Sequence, residues 1–308
     1  MSGSYLGPSF NSIEVENIGS DDMPERPVLV RPRIRIESPL GDPVADEWVG
    51  NSRPLPKPSK LDPKPVTWGR IRLPARPRGL GQLNKKVNAE IVTEIVTEDN
   101  EVVASDRQPL TLLDANEWVD DVNHPGALGA FVTPNSPALV PILRRAREIL
   151  FQATGDSSTG AYQEETKEDI EVRVRQIAGA VYEAIREIGI DYSNPEGSLR
   201  NGQKIRSPRD ILEQNSGTCL DTSVLYASCL SAIGVHPVIF LVAGHAFSGY
   251  YTWRHPLPLV KSDGTSITSD GTITDPNVIR YLWEEGFIQP VETTTLCRGS
   301  SPVGFEEA

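Results

Sequence analysis

The sequence predicts an α+β protein in which a β-rich region precedes a region of helices and further strands. Short runs of alternating apolar residues, separated by prolines, occupy residues 26–132 and indicate a small β-sandwich. From residue 133 onward, long apolar stripes at helical spacing replace this pattern. One helix of this second region is apolar nearly all round, so we expect it to be buried at the centre of its domain.

The strands of the β-rich region are predicted from alternation and turn signals. Residues 33–37 and 68–73 alternate with period two. Residues 90–97 and 101–104 are joined by Glu-Asp-Asn, which indicates a hairpin.

Four helices of the second region are predicted from caps and apolar spacing. Three strands follow them in the sequence. The helices begin at Ser136-Pro137, Thr166, Ser207-Pro208 and Thr218, and end near Gly155, Gly189, Glu213 and Gly234. The strands are expected at residues 237–242, 245–253 and 288–294, with a polar insertion at 261–276.

These patterns divide the chain into three parts. Residues 1–25 are polar, lack periodicity and predict a flexible arm. The β-rich domain follows at 26–132, and the second domain at 133–308. Residues 304–308 read as the first turn of a helix, so we expect either a fragment of a longer polypeptide or a frayed tail.

Composition excludes several classes of function. The net charge of −12 argues against general nucleic-acid binding. No apolar run approaches the roughly 20 residues that span a bilayer, and no secretory signal begins the chain, so a cytoplasmic location is expected. Three cysteines are too few for a disulfide framework and lack metal-site spacing, so we expect neither a zinc site nor a cofactor.

A basic stretch interrupts this acidic background. Residues 51–86 contain ten Lys or Arg against one acidic residue, Asp62. The stretch, or the β-rich domain around it, is a candidate docking surface for an acidic protein partner. The alternative is a proline-rich set of solvated loops and strand ends, which is the commoner origin of such a pattern.

Cys219 and His245 are the candidate reactive pair. Cys219 follows Gly217-Thr218 at the predicted start of the apolar helix, where free backbone N–H groups favour a thiolate. His245 begins a strand 26 positions later and can act as a general base if that strand packs on the helix. The alternative is a small core cysteine and a structural histidine.

A base of this kind needs a group that orients it. Glu292, in an apolar and Thr-rich run on the expected third strand, is the best candidate. Asp270 and Asp275 are weaker candidates because they lie in a Gly/Ser/Thr-rich loop.

The three motifs together resemble the transglutaminase-like cysteine peptidase superfamily, in particular a bacterial branch found beside superfamily-one helicase or phage-defence genes. The residues that carry the resemblance are Gly217-Thr218-Cys219-Leu220-Asp221, Gly244-His245-Ala246-Phe247 and Val291-Glu292-Thr293-Thr294, with weaker phrases at 112–118, 130–135 and 202–206. The resemblance implies a papain-like domain whose Cys-bearing helix packs on an antiparallel sheet. It also implies Cys219 as nucleophile, His245 as base and Glu292 as orienter.

The chain departs from the family pattern at the carboxylate. The family usually has Asp, much closer to the histidine, so residues 254–283 are expected to be an insertion. The oxyanion hole that the resemblance implies would use the Cys219 backbone N–H and a second donor, for which Gln203 and Gln214 are candidates.

Three functions are consistent with these residues. The first is hydrolysis of peptide or amide bonds in a protein or peptide substrate through a Cys219 thioacyl intermediate. The resemblance alone implies that this activity belongs to a bacterial defence or helicase-associated system. The second is transamidation or deamidation of protein glutamine on the same fold. The third is a non-catalytic scaffold that recruits a partner protein.

Overall fold

The computed structural model describes residues 9–18, 28–58, 64–119, 125–194, 202–253, 272–299 and 304–308. It is a mixed α+β structure with several antiparallel sheets and with helices. The chain forms two compact units, residues 1–115 and 116–308. The second unit therefore begins earlier than the expected boundary at residue 133, because strand Glu117–Trp118 pairs with Gln203–Lys204 inside that unit.

In its described residues, the first unit has two sheets that share one apolar cluster. The larger sheet has the order β3-β2-β6-β7, with β4 also paired to β2, and the smaller sheet is β1-β5. Val30 and Ile34 of the larger sheet pack with Trp68 and Ile71 of the smaller one. The elements are β1 (Ser9–Val15), β2 (Leu29–Glu37), β3 (Trp48–Val49), β4 (Arg53–Pro54), β5 (Val66–Arg72), α1 (Pro77–Leu80), β6 (Val87–Thr97) and β7 (Val102–Leu112).

Part of the segment expected to be a flexible arm is a strand. Residues 9–15 form β1, which pairs antiparallel with β5, and Ile13 and Val15 pack against the apolar cluster. The prediction was wrong here because a partner more than 50 residues away orders a run whose own composition is polar. The remaining residues of the expected arm, 1–8 and 19–25, lie outside the described residues.

The second unit places a buried helix against a three-stranded antiparallel sheet of order β12-β13-β14. Two short pairs, β8 with β10 and β9 with β11, complete its sheets. The elements are β8 (Glu117–Trp118), α2 (Val140–Thr154), α3 (Lys167–Arg186), β9 (Asp191–Tyr192), β10 (Gln203–Lys204), α4 (Pro208–Gln214), β11 (Ser216–Gly217), α5 (Cys219–Ala232), β12 (Pro237–Val242), β13 (His245–Tyr251), α6 (Pro276–Glu284) and β14 (Ile288–Val291), with short 3-10 helices at Pro125–Phe131, Pro137–Leu139 and Thr293–Leu296.

The predicted helices are confirmed, and their caps explain their positions. Thr166 accepts a hydrogen bond from the Asp169 N–H at the start of α3. Gly155 ends α2 in the left-handed conformation, with a φ of 77°. Helix α5 is buried along its length, as its apolar sequence predicts, and contacts both α3 and the sheet.

Two expectations concern the end of the second unit. The polar insertion at 261–276 lies largely outside the described residues, which resume at residue 272 before α6. The last strand is shorter than expected, because β14 ends at Val291 and a 3-10 helix begins two residues later. Among the described residues, no helix is both long and apolar enough to cross a membrane.

Candidate active site

Cys219 is the first residue of α5. Thr218 caps the helix by accepting a hydrogen bond from the Asp221 N–H, and the Asp221 carboxylate accepts one from the Thr218 N–H at 3.0 Å. The Cys219 backbone N–H has no acceptor within the helix, as at every helix start. The Cys219 residue is 5% exposed. The sequence therefore builds a shielded thiol beside a free backbone donor.

An ion pair between the buried Asp221 and the partly buried Arg206 fixes this helix start. The Asp221 side chain is fully buried and receives hydrogen bonds from Arg206 Nη1 at 2.7 Å and from the Arg206 backbone N–H at 2.8 Å. Together with the Thr218 N–H, these donors occupy both carboxylate oxygens. The loop before α4 is thereby tied to the first turn of α5.

His245 and Glu292, 47 positions apart, are in direct contact. Nε2 of His245 lies 2.8 Å from Oε2 of Glu292. His245 is the first residue of β13, and its ring stacks on Phe247 with 6.0 Å between centroids. Since Glu292 occupies Nε2, the ring nitrogen left for another partner is Nδ1.

Glu292 is held at both carboxylate oxygens. Oε1 accepts from the Thr294 N–H at 2.9 Å and from Thr294 Oγ1 at 2.7 Å, which makes Glu292 the cap of the 3-10 helix. Burial alone would raise the pKa of Glu292, but the hydrogen bonds from His245 and Thr294 outweigh it and lower that pKa below its ordinary value. The residue was expected on the strand. It lies just after β14, because its side chain caps the turn that follows.

Contacts of neighbouring residues place Cys219, His245 and Glu292 in one region, where α5 packs on β13. Ala246, next to His245, belongs to the same buried apolar cluster as Cys219. Thr293, next to Glu292, shares a 2.9 Å hydrogen bond with Ser223, one turn along α5 from Cys219. The structure thus brings the helix start, the strand start and the capping carboxylate into one region.

The two glutamines proposed as donors differ in position. Gln203 is buried, and its Nε2 donates to Thr218 Oγ1 at 3.2 Å, beside the cysteine. Gln214 is exposed at the end of α4, and its Oε1 accepts from Arg206 Nε at 3.3 Å. Only Gln203 of the pair therefore lies in contact with the cap of α5.

Trp118 is a site residue that sequence reasoning missed. It pairs in register with Gln203 across β8 and β10, so the two side chains share one face of that pair. The ring is buried in the apolar cluster that contains Cys219. Its Nε1–H has no acceptor among the described residues. Such a donor is costly to leave unpaired, and only the long-range pairing of β8 with β10 reveals it.

Tyr192 was also missed. It pairs with Gly217, two residues before Cys219, in a parallel register that no local motif predicts. Burial raises the pKa of Tyr192, and the charge and hydrogen bonding of Cys219 raise it further, followed by the charges of Cys297 and Glu292. The Tyr192 hydroxyl therefore lies close to the thiol.

The other cysteines and carboxylates have different surroundings. Burial raises the pKa of Cys229, in the middle of α5, and raises that of Cys297 to about 11. Asp275 caps α6 by accepting from the Asn277 N–H, and Asp270 lies outside the described residues. In the described part of the chain, no group of three or more His, Cys, Asp or Glu side chains is placed to hold a metal ion.

Comparison with known proteins adds no relative. No family model, curated protein or solved structure matches the chain. The functional argument therefore depends on the geometry of the site.

Proposed function

We propose that the protein is a thiol hydrolase, a cysteine peptidase or amidase of the transglutaminase-like type, with Cys219 as nucleophile, His245 as base and Glu292 as orienting carboxylate. The contact between His245 Nε2 and Glu292 Oε2 carries the proposal. It supports a catalytic unit because one histidine nitrogen and one turn engage both carboxylate oxygens. The residue next to His245, Ala246, also shares an apolar cluster with Cys219 at the start of α5.

The roles follow from which atoms are already engaged. With Nε2 hydrogen-bonded to Glu292, Nδ1 takes the thiol proton. Cys219 Sγ then attacks the substrate carbonyl carbon, and the imidazolium donates its proton to the leaving amine as the C–N bond breaks. Water, deprotonated by the same histidine, attacks the thioester carbon and releases the acid and the free thiol. Glu292 stabilises the imidazolium at each stage.

Two donors are available for the oxyanion. The backbone N–H of Cys219 is free at the helix start, and the Trp118 indole N–H is a buried donor in the same apolar cluster. Gln203 Nε2 donates one of its two N–H groups to Thr218, so we assign Gln203 to holding the cap. The packing of α5, which begins with Cys219, on an antiparallel sheet also supports the proposal.

Reaction with 4-nitrophenyl acetate tests the proposal without a known substrate. The wild-type protein is expected to release a burst of nitrophenolate, with the acetyl group found on Cys219 by mass spectrometry. The Cys219→Ala protein should show no burst. Cys229→Ala, which changes a cysteine of the same helix away from the site, should keep it.

An acetyl group on another residue, or a burst that survives Cys219→Ala, would exclude a Cys219 acyl-enzyme. Incorporation of a fluorescent amine into glutamine-bearing protein at a rate above hydrolysis would reassign the activity to transamidation.

A pull-down with the Cys219→Ala protein, which binds substrate without forming the thioester, identifies the natural substrate.

A further inference from the structure

Residues 304–308 form a turn that we call the clasp, and it reaches the backbone of Glu292. The Glu292 N–H donates to the Ala308 carbonyl at 2.9 Å. Within the clasp, the N–H groups of Glu307 and Ala308 both donate to the Gly304 carbonyl, at 3.0 and 3.1 Å. The clasp is therefore an ordered turn whose last carbonyl points at the candidate carboxylate residue.

Phe305 anchors the clasp on α3. Its ring packs against Tyr182, with 5.7 Å between centroids, and joins the apolar cluster of the second unit. It fills the space beside Gly179, where an added Cβ would lie 2.8 Å from Phe305 Cδ1. Arg175 and Glu306 add an exposed ion pair between α3 and the clasp.

Tyr182 connects this anchor to Glu292 by a second route. Its hydroxyl shares a 2.7 Å hydrogen bond with Thr295 Oγ1, and Thr295 Oγ1 donates to the Glu292 carbonyl. Every polar atom of Glu292 thus has a partner: His245 at Oε2, Thr294 at Oε1, Thr295 at the carbonyl and the clasp at the N–H.

We propose that the clasp, anchored by Phe305 against Gly179 and Tyr182, positions the Glu292 carboxylate on His245. The inference rests on the proposed function, in which that carboxylate orients the base. Phe305 is a positioning residue, since it touches neither substrate nor the reacting atoms. Both routes from α3 end on the backbone of Glu292. Releasing the clasp frees this backbone at its N–H and therefore loosens the carboxylate that it carries.

The test measures the alkylation of Cys219 by iodoacetamide near pH 6.5, together with acetate-ester hydrolysis, in a set of full-length variants. Phe305→Ala is expected to lower both rates about threefold to tenfold. Gly179→Ala, which pushes the ring away without removing it, should lower them in the same direction. Phe305→Leu should keep most of the wild-type rate. Phe151 is an exposed phenylalanine of α2, so Phe151→Ala should leave both rates unchanged.

A double-mutant cycle with Glu292→Gln separates positioning from general loosening of the fold. If Phe305 acts through Glu292, adding Phe305→Ala to Glu292→Gln changes the rates little. An equal effect of Phe305→Ala in both backgrounds would overturn the inference. So would wild-type rates in both Phe305→Ala and Gly179→Ala while Glu292→Gln is slow.

The same experiment distinguishes failure of the clasp from failure of the proposed function. If Glu292→Gln itself keeps wild-type rates, the carboxylate does not orient His245 and the proposed function loses its third residue. The inference about the clasp then fails as well. The unfolding temperature of each variant is recorded alongside. Gly179→Ala provides the test if Phe305→Ala does not fold, because alanine favours the helix.

Discussion

Helices α4 and α5 begin with the same local motif and are used differently. Ser207 and Asp210 form a capping box at α4, and Thr218 and Asp221 form the same box at α5. At the first helical position α4 has Pro208, which carries no N–H, whereas α5 has Cys219, which keeps one. The motif thus makes a plain helix start in one case and a thiol beside a free donor in the other.

The carboxylates of the two boxes differ as well. Asp210 bonds only within its own box among the hydrogen bonds of the described residues, while Asp221 is fully buried and also binds Arg206. A cap alone needs little more than local geometry. The start of α5 is additionally locked by tertiary contacts, as a site that must hold a nucleophile in place requires.

The largest difference between the two starts is expected at the first helical position. Cys219→Ala should reduce ester hydrolysis on the order of a thousandfold or more, because the nucleophile is lost. Pro208→Ala, the same position in α4, should leave hydrolysis within about twofold of wild type. Steady-state rates of the two variants measure this. Similar losses in both would mean that the two starts are equivalent and would break the comparison.

The second difference is in stability. Asp221→Asn is expected to cost about 2–3 kcal/mol of unfolding free energy, because it leaves the partly buried Arg206 without its counter-charge. Asp210→Asn should cost less than about 1 kcal/mol, the usual value of a cap contact. Urea unfolding of each variant gives the two values. Equal costs would show that the burial of Asp221 adds nothing to its capping role.

The capping hydroxyls sharpen the comparison further. Thr218→Ala and Ser207→Ala should each cost about 1 kcal/mol, since each removes one cap. Only Thr218→Ala should also slow Cys219 alkylation, because Thr218 also binds Gln203 beside the thiol. Mass spectrometry of the alkylated protein follows the rate. A rate that falls equally in Ser207→Ala would assign the effect to overall stability.

The smallest effect concerns pH. The pKa of Glu292 is lower in the folded protein than in the unfolded chain. The ionised carboxylate therefore contributes fully to folding stability above the ordinary glutamate pKa of about 4.3. This stabilisation is lost as the pH falls through the folded-state pKa. The side chain is 35% exposed, so solvent screening limits this contribution to less than about 1 kcal/mol. The stability difference between wild type and Glu292→Gln should therefore shrink on acidification. A difference that grows would contradict the direction of the shift.

Local chemistry made much of the second unit predictable. Ser and Thr caps, glycines at helix ends and apolar stripes predict where the helices lie. Helix α5 begins directly after Thr218 and ends two residues before Gly234, as these two residues predict. The expected positions of Cys219 at a helix start and of His245 at a strand start are confirmed. The last strand was predicted too long. It ends at Val291 because the Glu292 carboxylate accepts a hydrogen bond from the Thr294 N–H and so begins a 3-10 helix instead.

Long-range pairing made the rest unpredictable. Trp118 faces Gln203, and Tyr192 faces Gly217, only because strands far apart in sequence pair with each other. Strand β1 is ordered by β5 in the same way. Neither composition nor periodicity of the separate segments carries this information.

The central claim is that Cys219 and His245 react as one unit, and the rate of Cys219 alkylation tests it most directly. Limited iodoacetamide treatment at pH 7, followed by peptide mass spectrometry, compares Cys219 with a cysteine in a short peptide and with Cys229 and Cys297, whose pKa values are raised by burial. Faster modification of Cys219 than of all three, with the advantage lost in His245→Gln, is the predicted result. Modification no faster than that of the peptide, or unchanged in His245→Gln, would contradict it.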